Sequence, residues 1–193
     1  MTPPRILAFA GSTRRDSFNK KLLAVAAQGA RTAGAEVTVV DLKDFPMPLY
    51  DGDLEQASGQ PANAIKLKQM MMAHQGVLIV SPEYNASVTP LLKNAIDWVS
   101  RVRERGEAPL AAYKNRVFAL AAASDGAYGG MRSLMALRQI LELGCGALVI
   151  PDQIAVMRAS EAFDDMDNLR EERAAGLLKR VVQRLTDMAR EVA

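Results

Sequence analysis

The stretch from Ser81 to Arg101, SPEYNASVTPLLKNAIDWVSR, constrains the fold more than any other part of the chain. The β-branched run Val77–Val80 predicts a strand that is covered on both faces, and Pro82 ends it. Thr89 then has the position of a helix N-cap, and Pro90 that of the first helical residue. Apolar residues follow at helical spacing, at Leu92, Ala95, Ile96 and Val99. The polar turn is therefore expected at the carboxyl end of a strand, where open α/β sheets bind ligands.

A second strand-to-helix unit, near the N-terminus, carries a dense set of hydrogen-bond donors. The apolar run Arg5–Ala10 predicts a strand, and the loop and helix start that follow contain hydroxyls, a guanidinium and an amide, from Ser12, Arg14, Ser17 and Asn19. With a helix N-terminus, these are the donors that a phosphate group needs. In the alternative, Ser17 or Asp16 only caps the helix while Arg14 and Arg15 lie in solvent. Both interpretations stay open, and neither the P-loop nor the G-x-G-x-x-G pattern is present.

A third polar loop follows the predicted strand Arg116–Ala123. The segment SDGAYGGMRSL begins with Ser124, Asp125 and Gly126 and contains two more glycines, at positions 129 and 130. Glycines let the backbone approach a ligand closely and offer its N–H groups. A Gly-rich connection that binds nothing is the alternative, and this loop alone does not decide between the two.

The remaining elements complete an alternation of strands and helices. Further strands are predicted at Glu36–Leu42 and from Ala147 onwards, with helices at Ala62–His74, Met131–Leu143 and Leu169–Val192 and a long irregular excursion over Lys43–Pro61. Five strands of this kind predict one α/β domain over residues 1–193, a doubly wound parallel sheet with helices on both faces. The flavodoxin-like order 2-1-3-4-5 brings the three polar loops to one edge. Together these loops suit a phosphorylated planar cofactor.

Composition excludes several other classes of function. The net charge is +2, and the 24 basic and 22 acidic residues are mixed along the chain, so no block indicates a nucleic-acid or membrane surface. No apolar run has the length of a membrane span, and MTPPRILAFAG lacks the features of a secretory signal, so a cytoplasmic protein is expected. The single cysteine, Cys145, excludes an internal disulfide and a cysteine zinc site. Neither Cys145 nor the single histidine, His74, is assigned a chemical role, and no metal site is predicted.

The three loop sequences GSTRRDSFNKKLL, SPEYNASVTPLLKNAIDWVSR and SDGAYGGMRSL resemble the NADPH-dependent FMN reductase family, which includes quinone, azo-dye and chromate reductases. The resemblance implies FMN as cofactor and NADPH or NADH as co-substrate. It implies that Ser12, Arg14, Ser17 and Asn19 hold the FMN phosphate. It places Pro82, Glu83, Tyr84 and Asn85 beside the isoalloxazine and ribityl groups, and Ser124, Asp125 and Gly126 on the far side of the ring.

The implied activity needs no catalytic side chain, because a flavin carries the redox chemistry itself. Hydride would pass from NADPH to FMN and then, in a ping-pong reaction, to a quinone, azo, metal-oxyanion or flavin acceptor. The resemblance also implies a homodimer or homotetramer with the flavin near an interface, to which Trp98 could contribute unless it is a core residue. A flavodoxin-like electron carrier and a non-catalytic regulatory protein of the same fold are the alternatives.

Overall fold

The central strands are apolar along their length because helices cover both faces of the sheet. The computed structural model describes residues 2–192. Its strands are β1 (Arg5–Ala10), β2 (Glu36–Asp41), β3 (Gly76–Val80), β4 (Val117–Ala123) and β5 (Leu148–Val156). They form one sheet in the order β2-β1-β3-β4-β5, and every neighbouring pair is parallel. The predicted flavodoxin-like order is confirmed, and the loops after β1, β3 and β4 lie side by side.

The helices divide between the two faces according to the alternation of side chains along each strand. They are α1 (Phe18–Thr32), α2 (Gly52–Ser58), α3 (Ala62–Met72), α4 (Pro90–Arg101), α5 (Met131–Gln139) and α6 (Glu172–Glu191). Ile6 and Ala8 of β1 pack with α1 and α6, whereas Leu7 and Phe9 pack with α3, α4 and α5. Within residues 2–192, no helix is both long and apolar enough to cross a membrane.

Helix α4 begins as its sequence predicts. The Thr89 side chain accepts a hydrogen bond from Leu92 N at 3.3 Å, and Pro90 is the first helical residue. The predicted apolar stripe is buried in full, at Leu92, Ala95, Ile96 and Val99. The local signals of this helix therefore agree with its packing.

Three other elements differ in detail from the expectation. The excursion Lys43–Pro61 contains a short 3₁₀ turn at its start and the exposed helix α2, whose first turn is capped by Asp51. The helix after β4 ends its regular part at Gln139 and continues as a π-helical turn over Ile140–Gly144. Strand β5 runs on to Val156 through Pro151, which an edge strand tolerates because one side of it needs no donor.

The excursion is fastened to α4 by side chains of that helix. Asn94 accepts from Tyr50 N at 2.8 Å and donates to the carbonyl of Pro48 at 2.9 Å. Trp98 Nε1 donates to the same carbonyl at 2.7 Å, and the indole is fully buried, edge-on to the Tyr50 ring. Of the two interpretations of Trp98, the core residue is therefore the one that the structure supports.

Candidate functional site

The loops after β1, β3 and β4 are tied together where the three strands end. Gly11 N donates to Val80 O at 2.9 Å, so the first loop leaves the sheet against the end of β3. The Thr89 hydroxyl donates to Gly11 O at 2.7 Å, and Ser81 N donates to Ala121 O at 2.9 Å. The carboxyl edge thus brings together the three loops that the sequence singled out.

The first loop presents two buried hydroxyls beside the start of α1. Ser12 and Ser17 are each 4% exposed. Ser12 Oγ accepts from Arg14 N at 3.2 Å, and Ser17 Oγ accepts from Asn19 N at 3.3 Å as the N-cap of α1. Each hydroxyl keeps its own hydrogen to donate, and neither finds a protein acceptor in the described part of the chain. Ser17 can therefore cap α1 and still donate its hydroxyl hydrogen to a ligand.

Arg14 is the one cation of the predicted set in this loop. Its side chain is exposed, and its guanidinium donates to the carbonyl of Asp16 at 3.1 Å. That contact uses one of the five N–H groups of the guanidinium. The others can meet an anion that lies at the N-terminus of α1.

The side chain of Asn19, the fourth predicted phosphate ligand, bonds elsewhere. Its Nδ2 donates to Ala123 O at 2.8 Å, and its Oδ1 accepts from Ala123 N at 2.9 Å. Ala123 is the last residue of β4, and Asn19 is only 4% exposed. Asn19 therefore connects the first loop to the third.

The second loop combines a buried start with an exposed tip. Pro82 is buried, whereas Tyr84 is 48% exposed. Tyr84 and Ser87 exchange two backbone hydrogen bonds of 3.0 Å around Asn85 and Ala86, whose φ angles are 49° and 64°. Asn adopts this left-handed conformation readily and Ala does so at a cost. The result is a tight two-residue turn that carries an aromatic ring at the edge of the site.

Glu83 points away from this tip, towards the start of α5. Its carboxylate, 7% exposed, accepts from the backbone N of Arg132 at 3.1 Å and of Ser133 at 3.4 Å, and it pairs with the Arg132 guanidinium. Ser133 Oγ also donates to Pro82 O at 2.9 Å. These contacts fix the second loop to the helix that follows the third.

In the third loop, the glycines serve packing more than access to a ligand. Gly129 and Gly130 are buried with φ angles of 59° and 93°. A Cβ on Gly129 would lie 2.8 Å from the backbone of β5, and one on Gly130 would lie 2.6 Å from the Ala122 Cβ. Gly126, in contrast, is exposed, and its N donates to Ser124 Oγ at 3.2 Å. Of the predicted set, Asp125 and Gly126 are thus exposed, whereas the backbone of Ser124 bonds to Val156 O and to Ala159 N.

Asp125 supports the loop from outside. Its Oδ1 accepts from Ser160 N at 2.7 Å, which holds the chain after β5 against the third loop. On the same side, the ring of Phe18 at the start of α1 stacks on Phe163 with a centroid distance of 6.5 Å. The segment after β5 is therefore packed against both the first and the third loop.

Comparison with known proteins places this arrangement in one family. The family model described as NADPH-dependent FMN reductase matches residues 4–161, which include all three loops. The chain belongs to the NADPH-dependent FMN reductase family. A quinone reductase of Escherichia coli K12 is 37% identical over 140 residues, 71% of this chain and 69% of that protein.

Other proteins resemble the chain along most of its length. An NAD(P)H-dependent FMN reductase of Pseudomonas aeruginosa is 30% identical over 181 residues, 94% of this chain and 92% of the relative. The flavoenzyme FerB, an NAD(P)H:(acceptor) oxidoreductase from Paracoccus denitrificans, has a similar structure, with a TM-score of 0.80 at 26% identity. That alignment covers 97% of this chain and 98% of FerB.

The chemistry of the edge fits the FMN that the family name implies. Two hydroxyls with free hydrogens, an exposed guanidinium and the start of α1 form a donor set for a phosphate monoester. The exposed rings of Tyr84 and Tyr128 stand on the second and third loops, where a flat heterocycle would find apolar contact. Both halves of an FMN molecule therefore have matching groups.

Sequence reasoning missed the side chains that connect the loops. The Thr89 hydroxyl was expected to cap α4, but its second bond, to Gly11, joins segments 78 residues apart. Arg132 and Ser133 had no signal of their own, because their partners lie in the second loop. Only the three-dimensional contacts show that these residues connect the loops.

Proposed function

We propose that this protein is an FMN-dependent NAD(P)H oxidoreductase that reduces small electron acceptors, with quinones as the leading class. The main support is the meeting of three loops at one sheet edge, with phosphate donors on the first and the exposed residues Asp125 and Gly126 on the third. Two relatives, a quinone reductase and an NAD(P)H-dependent FMN reductase, agree with this proposal in their activities. Azo compounds, metal oxyanions and free flavins are further candidate acceptors.

In this proposal, the residues of the chain bind and orient the cofactor. Ser12, Arg14 and Ser17 hold the phosphate through charge-assisted hydrogen bonds at the N-terminus of α1. Pro82, Tyr84 and Asn85 flank the ring and ribityl from the second loop, and Ser124, Asp125 and Gly126 line the other side. A bound FMN supplies reversible two-electron chemistry between NAD(P)H and the acceptor. No side chain of this set has to carry a proton.

The spectrum of the purified protein tests the proposal most directly. We expect a yellow protein, or a colourless one that takes up added FMN, and bleaching of the flavin absorbance when NADPH is added without oxygen. Acceptors added afterwards should restore the absorbance. Tight FMN binding with little bleaching would indicate an electron carrier instead, and failure to take up FMN would indicate a non-catalytic protein.

Steady-state kinetics test how the two substrates use the site. We expect ping-pong behaviour, because NADPH and the acceptor would occupy the same space over the ring in turn. Initial rates at several fixed acceptor concentrations should give parallel double-reciprocal lines. Intersecting lines, which indicate a ternary complex, would contradict this part of the proposal.

The homodimer or homotetramer stays a prediction that light scattering can test.

The phosphate assignment is tested by comparing FMN with riboflavin, which lacks the phosphate. Arg14→Ala removes one charge-assisted partner, which is typically worth about 1.5–3 kcal/mol, so FMN binding should weaken by roughly tenfold or more. Riboflavin binding should hardly change. Arg15→Ala, next to it and also exposed, is the matched control. Equal losses of affinity for both flavins in Arg14→Ala would indicate that the phosphate binds elsewhere.

A further inference from the structure

Asn19 links the first and third loops although β3 lies between their strands. The sheet order is β1-β3-β4 at this point, so the amide group reaches across the end of β3 to Ala123. The two residues are 104 positions apart, and their two hydrogen bonds measure 2.8 and 2.9 Å. Helix α1 thus starts beside the strand from which the third loop departs.

The two bonds form a rigid connection. One runs from the amide nitrogen to the Ala123 carbonyl and the other from the Ala123 N–H to the amide oxygen, so the pair resists rotation as well as separation. Both residues are buried, with 4% and 3% exposure. Without Asn19, the backbone groups of Ala123 would lose their partner in a place that water hardly reaches, and such groups are costly to leave unpaired.

We propose that Asn19 is a positioning residue that sets the distance between the phosphate-binding loop and the ring-binding loop. This inference rests on the FMN site proposed above. Asn19 is the second residue of α1, and its backbone N also bonds to the Ser17 hydroxyl, so one residue fixes the N-cap and the end of β4 together. Ser124 follows directly after Ala123, and Gly126 lies two residues further along the chain. Asn19 therefore acts on the cofactor through the loops and does not hold the phosphate itself.

The two roles differ in how they depend on the ligand. A residue that binds the phosphate contributes to the affinity for FMN and hardly at all to that for riboflavin. A residue that places the ring-binding loop contributes to both affinities, because both flavins carry the same ring. The ratio of the two losses therefore separates positioning from direct phosphate contact, and it is read from binding without any turnover.

The experiment measures the Kd of both flavins by quenching of flavin fluorescence, in wild type, Asn19→Ala and Arg14→Ala. Leu185→Ala is the control for lost stability, because Leu185 is fully buried in α6 against Gly76, at the opposite end of β3. Circular dichroism sets a temperature at which every variant is folded. We expect Asn19→Ala to weaken FMN and riboflavin by similar factors, about tenfold, the equivalent of one net hydrogen bond.

The controls should behave differently from Asn19→Ala. Arg14→Ala should weaken FMN alone, and Leu185→Ala should change neither Kd. Asn19→Ser, which is too short to reach both atoms of Ala123, replaces Asn19→Ala if that variant does not fold. A loss confined to FMN in the Asn19 variants would make Asn19 a phosphate ligand, and unchanged affinities would remove it from the site. A wild type that binds neither flavin would overturn the FMN site itself.

Discussion

The carboxylate of Glu83 has two kinds of partner, and they contribute unequally to stability. Its ion pair with Arg132 involves a guanidinium that is 52% exposed, and such pairs contribute at most about 1 kcal/mol. Its bonds to the backbone N–H groups of Arg132 and Ser133 cap the first turn of α5. The Glu83 side chain that accepts these bonds is buried. The backbone contacts are therefore the larger part of what Glu83 contributes.

We therefore predict that Glu83→Ala lowers the free energy of unfolding by about 2 kcal/mol, since it removes both kinds of contact. Arg132→Ala should lower it by less than about 1 kcal/mol, because the backbone N–H of residue 132 remains. Denaturant unfolding of both variants measures the difference. An equal or larger loss in Arg132→Ala would show that the ion pair, and not the helix cap, holds the second loop.

Burial of the Cys145 thiol raises its pKa from an ordinary 9.0 to about 11. The unfolded chain therefore loses this proton at lower pH than the folded one. The contribution of Cys145 to stability is complete below pH 9 and is lost as the pH rises through about 11. We predict a less steep fall of the unfolding free energy over that interval in Cys145→Ala, measured by denaturant unfolding. Identical pH profiles would contradict it.

At the scale of secondary structure, the glycines at the start of α5 determine how closely the helix approaches the sheet. We predict that Gly130→Ala destabilises the protein by about 2–4 kcal/mol, because its Cβ would overlap that of Ala122 and because φ is 93°. Gly146→Ala is the matched control: φ is 65°, but within residues 2–192 no atom beyond its chain neighbours lies within 4 Å of the added Cβ. Thermal unfolding should show a loss of only about 1 kcal/mol there. Equal losses of stability in the two variants would mean that backbone strain, and not the contact with Ala122, determines the effect.

Elements with local signals were predictable from the sequence, and elements that depend on distant partners were not. Thr89 and Pro90 mark the start of α4 by their own chemistry, so that boundary was correct. Helix α2 was missed because it buries no residue and so shows no apolar stripe. Strand β5 passes through Pro151, a residue that normally argues against a strand, and edge position in the sheet is not visible in the sequence.

In the candidate site too, local features were predictable from the sequence and contacts with distant partners were not. The residue types in the three loops indicated a phosphorylated planar ligand, and the strand order brought those loops together. The partners of Asn19 and Glu83 could not be predicted, since they lie 104 and about 50 positions away and a sequence pattern carries no contact between them. Polar residues at such an edge therefore need the structure to separate those that face a ligand from those that connect loops.

At the scale of the whole molecule, the proposed site joins segments that the sheet already holds, so a ligand there should stabilise the entire fold. The described strands β1, β3 and β4 end at the same edge and carry the three loops. FMN at about one hundred times its Kd should raise the free energy of unfolding by about 2.7 kcal/mol if it binds only the folded chain. Thermal unfolding with and without FMN measures this gain.

Hydrogen exchange then locates the ligand. We predict that FMN slows the exchange of amides in residues 11–17, 81–88 and 124–130, because they would be covered or ordered by the cofactor. Amides at the opposite edge, such as those of Gln75 and Ala147, should change only as far as global stability changes. A groove of about 570 Å³ lies between β5 and the start of α6 and is lined by Val156, Arg158 and Leu177 among others. It is the alternative place for a ligand. Protection concentrated there, with the three loops unchanged, would place the flavin between β5 and α6 and contradict the proposed site.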